Sequence, residues 1–438
     1  MRIYLALALW LAACSCTSKK QEEAPAPGID ALAERYVRLG LTVGQYDGDF
    51  VDAYYGPDSL KPVQPKLAAF PKDSLLAEVN TLMNELKAVS MDSTANDTLQ
   101  QRAKWMNSQL VAFSRRIRIF SGEFESFDLE SKDLFGVVAP VYPESYFQGM
   151  VKQLDSLLPG TGPITDRFQQ MAAQFVLPLK KIDTVFKTTI AEARKRTLQH
   201  YALPPKESFT LEYVTGKSWS GYNWYKGNYT SLIQISTDIK IFIERAIDLA
   251  CHEGYPGHHV YNMLLEKNLY RDKGWVEISL YPLFSPQSLI AEGSANYGIE
   301  VAFPGHEQVD YTKNVLLPLA GIDTAGAEFY FKALQLRSKL NYARNEVARG
   351  LINGSMTEAE AMRWLKEYSL FSDEAAAKSI SFIRKYRSYV INYNYGLDLV
   401  KNHIESAGGT AENVEKRWQL FYQLLSNPIT PGDLLKTE

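Results

Sequence analysis

Cysteine is nearly absent from this 438-residue chain, which has only Cys14, Cys16 and Cys251. So few thiols, two of them crowded at the start, exclude a disulfide framework. An excess of either charge is missing as well. Lys and Arg number 47 against 50 Asp and Glu, a net charge of −3, which leaves no electrostatic footprint for nucleic acid. No internal repeat is visible, which excludes a solenoid. Beyond the first residues no apolar run is long enough to span a bilayer. Histidine is scarce too, with six in the chain, and that makes its placement informative.

What is present suffices for a real core, since 46% of residues are hydrophobic and 22% charged. The length allows two average domains or one large fold. Helix signals dominate, and the expectation is a single mainly α domain over residues 29–438. Asp30 can cap a first helix through about Leu41. Helical patterning recurs near 73–89, 97–121, 144–158, 163–200, 324–352, 357–369, 373–406 and 411–426. Pro140, Pro143, Pro159-Gly160, Pro204-Pro205 and Gly408-Gly409 interrupt it. Phe209 to Ser236 differs. It is rich in Tyr, Trp, Thr and Gly with period-two stretches, and reads as two to four short strands of a small antiparallel sheet. Tyr229 to Ser236 is the candidate edge strand for binding extended substrate by strand addition. A purely structural hairpin is the competing reading.

The N-terminus suggests an address. Arg2 precedes an apolar run from Ile3 to Ala13, too short for a membrane helix, which fits a signal peptide over residues 1–13. Leu11-Ala12-Ala13-Cys14 resembles a bacterial lipobox, which implies cleavage before Cys14 and lipidation of its thiol. Residues 14–28 read as a flexible tether. The expected location is the bacterial cell envelope, outside the cytoplasm, with the membrane reached through the lipid.

Three of the six histidines fall in the eight residues His252-Glu253-Gly254-Tyr255-Pro256-Gly257-His258-His259. Imidazole suits zinc, and a carboxylate beside the first ligand suits a general base. The usual H-E-x-x-H pair sits one helical turn apart. Here the second histidine comes six or seven residues on. On a straight helix six residues rise about 9 Å and rotate about 600°, which puts the rings on different faces. Two imidazoles on one zinc need nitrogens roughly 3 Å apart. The helix must therefore widen, and Pro256-Gly257 is where it can. His258 needs the smaller correction and is the expected ligand, with His259 as the alternate. Upstream, Asp238 is a plausible N-cap. Ile239, Phe242, Ile243, Ala246, Ile247 and Ala250 recur at three- and four-residue spacing and face the core. Asp248, four residues before His252, could orient its ring or instead pair with Arg245. Cys251 reads as a small buried residue. Glu292, in a segment followed by the small residues Gly293, Ser294 and Ala295, can supply a third ligand from a second helix packed close to the first. His306 competes, as a loop residue.

These motifs resemble the bacterial family known as domain of unknown function 885. H-E-x-Y-P-G-H-H at 252–259 and E-G-x-A-x-Y from Glu292 carry the likeness, with Tyr386–Gly396 (YRSYVINYNYG) and Tyr54-Tyr55-Gly56-Pro57 adding to it. Tyr261 stands where the family has Gln, and Glu346–Ser355 (EVARGLINGS) lacks the family's Asp and His. The resemblance implies a large helical gluzincin-like metallopeptidase fold, with one zinc per chain and a peptide or amide substrate. In that reading His252, His258 and Glu292 hold the metal and Glu253 is the general base. Tyr393 stabilises the oxyanion, with Tyr389 the second candidate; Arg384 or Arg387 clamps a substrate carboxylate, and Tyr229 and Tyr389 contact substrate. Two alternatives stand beside it: a lipid-anchored binding protein with a structural or vestigial metal site, and a zinc amidase acting on cell-wall peptides.

Overall fold

The computed structural model describes residues 28–217 and 219–436; the signal peptide and Cys14 expected from the sequence lie outside them. Helices carry most of the chain, and strands are confined to two small sheets. β1 (Val51–Tyr54) pairs antiparallel with β5 (Leu280–Pro282). In the second sheet β4 (Thr230–Ser236) lies between β2 (Ser208–Val214), to which it runs parallel, and β3 (Gly221–Gly227), to which it runs antiparallel. Tyr229–Ser236 is therefore not an edge strand. Both ladder sides of β4 are used, and the free edges belong to β2 and β3.

Helix starts follow ordinary capping. The Asn96 side chain accepts from Leu99 N at 2.9 Å and opens the helix Asp97–Phe120. Two buried ion pairs tie that helix down, one to the second half of the chain and one to the turn after the helix Ile29–Gly44. Arg102 Nη2 donates to Glu277 Oε2 at 2.8 Å, and Arg116 Nε donates to Asp47 Oδ2 at 2.6 Å. A lone charge left behind at either place would be costly, so each pair fixes the register of distant segments.

Three of the long helical stretches expected from the sequence are broken. The 163–200 stretch stops at Val176-Leu177-Pro178. There Leu177 N donates to Ile241 O at 2.8 Å and Ile243 N to Phe175 O at 2.9 Å, and Pro178 has no N–H for a helix. The 373–406 stretch breaks at Arg387, whose φ is +54°, and Ser388 donates through N and Oγ to the buried Glu130. The 324–352 stretch divides into the helices Ala327–Ser338 and Ala343–Asn353. Tertiary hydrogen bonds override local propensity in the first two. Asp238 caps no helix. It accepts from Gly216 N and Lys217 N at 2.9 and 3.0 Å, and the helix starts later, at Glu244.

The helix Pro286–Ala302 is buried along most of its length. Its closest neighbour crossing is at Gly293, where a Cβ would lie 2.3 Å from the carbonyl oxygen of Gly396 in the helix Ile391–Ser406. Gly293 thus lets the wrong helix approach, compared with the sequence expectation. The residue facing the metal-motif turn is Gly298, whose Cβ would meet Pro256 Cγ at 3.3 Å. The glycine crossing sets Glu292 under Tyr389 and Tyr393. Gly293→Ala should force these backbones apart and lower stability by about 1–3 kcal/mol, read by thermal or denaturant unfolding. An unchanged midpoint would mean that the two helices can part freely.

Candidate metal centre

The apolar helix Glu244–Leu249 runs into a widened π-type turn, Ala250–Gly254. Tyr255 N donates to Ala250 O at 3.0 Å and Gly257 N to Cys251 O at 2.9 Å, one and two residues longer than the α pattern. Pro256 has no N–H to place. Gly257 has no Cβ, which would otherwise lie 2.0 Å from the carbonyl oxygen of His252. A new helix, His258–Leu265, then begins. The widening absorbs the surplus residues and returns His258 to His252: their Nε2 atoms are 3.2 Å apart.

Glu292 completes a triangle. Its Oε2 lies 3.3 Å from His252 Nε2 and 3.6 Å from His258 Nε2. Ligands at about 2.0–2.2 Å around a tetrahedral ion are separated by roughly 3.3 Å, so the three atoms fit one face of a zinc site. Glu292 Oε2 is buried and makes no well-formed hydrogen bond, which leaves its lone pairs for a cation. Its other oxygen accepts from the Tyr389 hydroxyl at 2.8 Å.

The tautomer of His252 follows from its neighbour. Asn296 Nδ2 donates to the Tyr393 carbonyl at 2.8 Å, so its Oδ1, 3.0 Å from His252 Nδ1, can only accept. The hydrogen therefore sits on Nδ1, and Nε2 turns a lone pair into the triangle.

Burial works against charge here, and the outcome differs by group. Burial alone would raise Glu292, yet the adjoining His252 and His258 hold it well below the carboxylate range. Burial would depress His258, but Glu292, with Glu253 and Asp52 behind it, pushes it up to about 9. Glu253 is raised by burial, against the pull of His252 and His258. Asp52, on β1, is raised by burial to about 6 despite the hydrogen bond it accepts from the Tyr222 hydroxyl.

These groups line a cleft of about 1900 Å³. Gly221, Tyr222 and Asn223 of β3 form part of its wall. The chain comes close at Gly221, where a Cβ would lie 2.8 Å from Glu253 Oε1. Asn223 Nδ2 donates to the Glu253 carbonyl at 2.7 Å and fixes the turn against the strand.

Several expected roles fall away. His259 points into the interior, where Nε2 is 3.1 Å from Glu207 Oε2 and Nδ1 is 2.8 Å from Ser231 Oγ. Asp248 does not orient His252: it accepts from Arg245 at 3.2 Å and from Gln308 at 3.4 Å. Tyr229 lies outside the cleft lining, at the far turn of the β3–β4 hairpin, with Arg271 stacked 5.2 Å from its ring centre. Arg384 is an exposed partner of Glu358, and Arg387 is tied to buried Glu130 at 2.6 Å; neither lines the cleft. Tyr389 lines it but spends its hydroxyl on Glu292. Tyr393 also lines it, and no protein acceptor takes its hydroxyl among the described residues. Cys251 is fully buried, with its thiol pushed up by burial. His306 forms an exposed cluster with Asp310 and Glu328.

Asn296 and Asp52 were not anticipated. Asn296 had a signal, since it lies one helical turn after Glu292 on the same face. Asp52 had none, because β1 reaches the centre through long-range partners, its pairing with β5 and its packing on β3.

No family model and no curated protein matches the chain. A crystal structure from Colwellia psychrerythraea, described as a "putative lipoprotein", is similar in fold at TM-score 0.51 and 12% identity, over 83% of this chain and 68% of that one. Among the described residues no helix is long and apolar enough to cross a membrane.

Two outcomes follow. Asn296→Ala should weaken zinc binding by about 10–100-fold with the fold intact, measured by chelator competition. Equal affinity would deny Asn296 its orienting part. Separately, Glu207 feels burial but is held down to about 2 by His259, Tyr255 and Arg194. Its folded pKa is depressed, so it stabilises the fold above its ordinary value and loses that contribution as pH falls towards about 2. Denaturant unfolding of Glu207→Gln should therefore show a shallower loss of stability between about pH 4.5 and 2. Parallel curves for variant and parent would remove Glu207 from the acid response.

Proposed function

We propose that this protein is a zinc-dependent hydrolase of peptide or amide bonds, of the type the resemblance to domain of unknown function 885 implies. The observation that carries the reading is the triangle of His252, His258 and Glu292 with Glu253 beside it in a large cleft. A structural metal site has no need of that extra carboxylate.

Zinc held by the triangle would supply a Lewis acid that brings the pKa of a water molecule towards about 7. Glu253 takes the proton from the attacking water and returns it to the leaving nitrogen. Its burial favours both steps, because a raised pKa makes the carboxylate a better acceptor and its acid form accessible. Tyr393 keeps its proton, since burial and the nearby carboxylates Glu292 and Glu253 raise its pKa well above the ordinary value. It can donate to the oxygen on which charge develops. The ladder side of β3 that no strand pairs, which starts beside Glu253 at Gly221, suits an extended chain added as a further strand. The lipobox-like start and the description of the Colwellia neighbour support a lipid-anchored place in the cell envelope.

Glu253→Gln should keep about one zinc per chain, by elemental analysis after dialysis, while peptide hydrolysis falls by about 10²–10⁴. Undiminished turnover in that variant would remove Glu253 from the mechanism.

A further inference from the structure

The buried and half-buried arginines around this core are otherwise hydrogen-bonded. Arg102 meets Glu277, Arg116 meets Asp47, and Arg387 meets Glu130. Arg417 donates to the backbone carbonyls of Gly409 and Glu300. Among the arginines that line the cleft, Arg245 donates to Asp248 and Arg337 to the Ser369 carbonyl. Arg344 breaks the pattern. Its Nε is buried without an acceptor, and no carboxylate lies within ion-pair distance among the described residues. Its guanidinium stacks 4.6 Å from the Phe382 ring centre, and Phe382 packs 6.2 Å from the ring of Tyr393. Arg344 is thus one ring away from the tyrosine next to Glu292, on the cleft wall. A half-buried cation whose Nε is shut off from water without an acceptor is costly, and burial lowers its pKa accordingly. A stacking ring holds the fork in place but leaves its hydrogen-bonding capacity unused.

The geometry points to Arg344 as a specificity-determining residue that receives a substrate carboxylate close to the bond being cleaved. A planar fork matches a carboxylate bidentately, and an apolar stack orients it. The carboxylate can come from a chain terminus, which would make the enzyme a carboxypeptidase, or from an acidic side chain. The arginine clamp expected at Arg384 or Arg387 is thereby relocated, since both of those are already paired.

This inference rests on the hydrolase reading for its substrate, so the test uses two readouts on the full chain. In the first, metal-free protein is heated with N-acetylphenylalanine or with its amide. The acid should raise the melting temperature more than the amide, and Arg344→Met should abolish the difference. In the second, zinc-loaded protein is given hippuryl-phenylalanine, its amide, and the α-amide of hippuryl-glutamic acid, whose only free carboxylate is the side chain. A carboxylate substrate should be preferred by about 10–100-fold in kcat/KM, with the loss in Arg344→Met falling mainly on KM and part recovered in Arg344→Lys. Preference for the free acid assigns a terminal carboxylate, and preference for the Glu-containing amide assigns a side chain. Hydrolysis of all substrates without preference would overturn the inference and leave the hydrolase reading standing. An acid-specific thermal shift lost in Arg344→Met, with no hydrolysis of any substrate, would do the reverse. Should the variants fail to fold, equal treatment of the free acid, its amide and the Glu-containing amide by the parent protein alone still overturns it.

Discussion

The widened turn between His252 and His258 is the constraint on which the site depends. An α-helix cannot bring residues six apart to one point, and the turn must therefore spend its hydrogen bonds on longer loops, Tyr255 to Ala250 and Gly257 to Cys251. Such a turn holds only if its surroundings prevent it from relaxing into a regular helix. Tyr255 and His259 both bind Glu207, which Arg194 also engages, and this buried knot grips the turn from the side facing away from the cleft. Asn223 grips it from β3. His259 is therefore not a spare ligand. Adjacent residues on a helix point about 100° apart, so once His258 faces the centre, His259 must face the core, where Glu207 and Ser231 satisfy both of its nitrogens.

The third corner depends on a different device. Glu292 comes from a helix that reaches the metal turn through Gly298 and the tyrosine helix through Gly293. The close crossing at Gly293 and Gly396 brings the Tyr393 carbonyl to Asn296 and the Tyr389 hydroxyl to Glu292. One helix thus carries a carboxylate and, a turn later, the amide that orients His252. Both are held by the same neighbour, so His252 and Glu292 are aligned together.

Much of this was legible in the sequence. The helical class follows from periodicity, and the need for a bulge at Pro256-Gly257 follows from the spacing alone. The grouping of His252, His258 and Glu292 follows from residue chemistry. What was hidden depended on long-range partners. Asp248 has the right spacing to reach His252, but Arg245 is equally near and carries a full charge, and the ion pair is what forms. Arg384 and Arg387 sit beside the tyrosines in sequence, yet positive φ at Arg387 turns the chain and sends its guanidinium to Glu130. The order of the second sheet was also out of reach, because β2 joins β4 in parallel across an intervening strand, and no local pattern encodes that choice.

The charge balance of the cleft is consistent with the cation proposed for it. Glu292, Glu253 and Asp52 bring three carboxyl groups into one buried space, with two imidazoles as the nearest compensation. With protons alone the balance is struck by charging His258, whose pKa, against its burial, is pushed up to about 9 by Glu292, Glu253 and Asp52. That arrangement blocks the His258 lone pair at neutral pH. A divalent cation in the triangle supplies two positive charges where a proton supplies one, and it uses the lone pairs of both imidazoles and the unsatisfied Glu292 oxygen at once. Binding must then expel the His258 proton, so affinity should rise with pH until about 9 and level off above it. On the proposed reading Glu253 would stay outside the ligand set: the charge its burial makes costly would be offset by a cation it does not touch, which would leave the carboxylate free to exchange a proton.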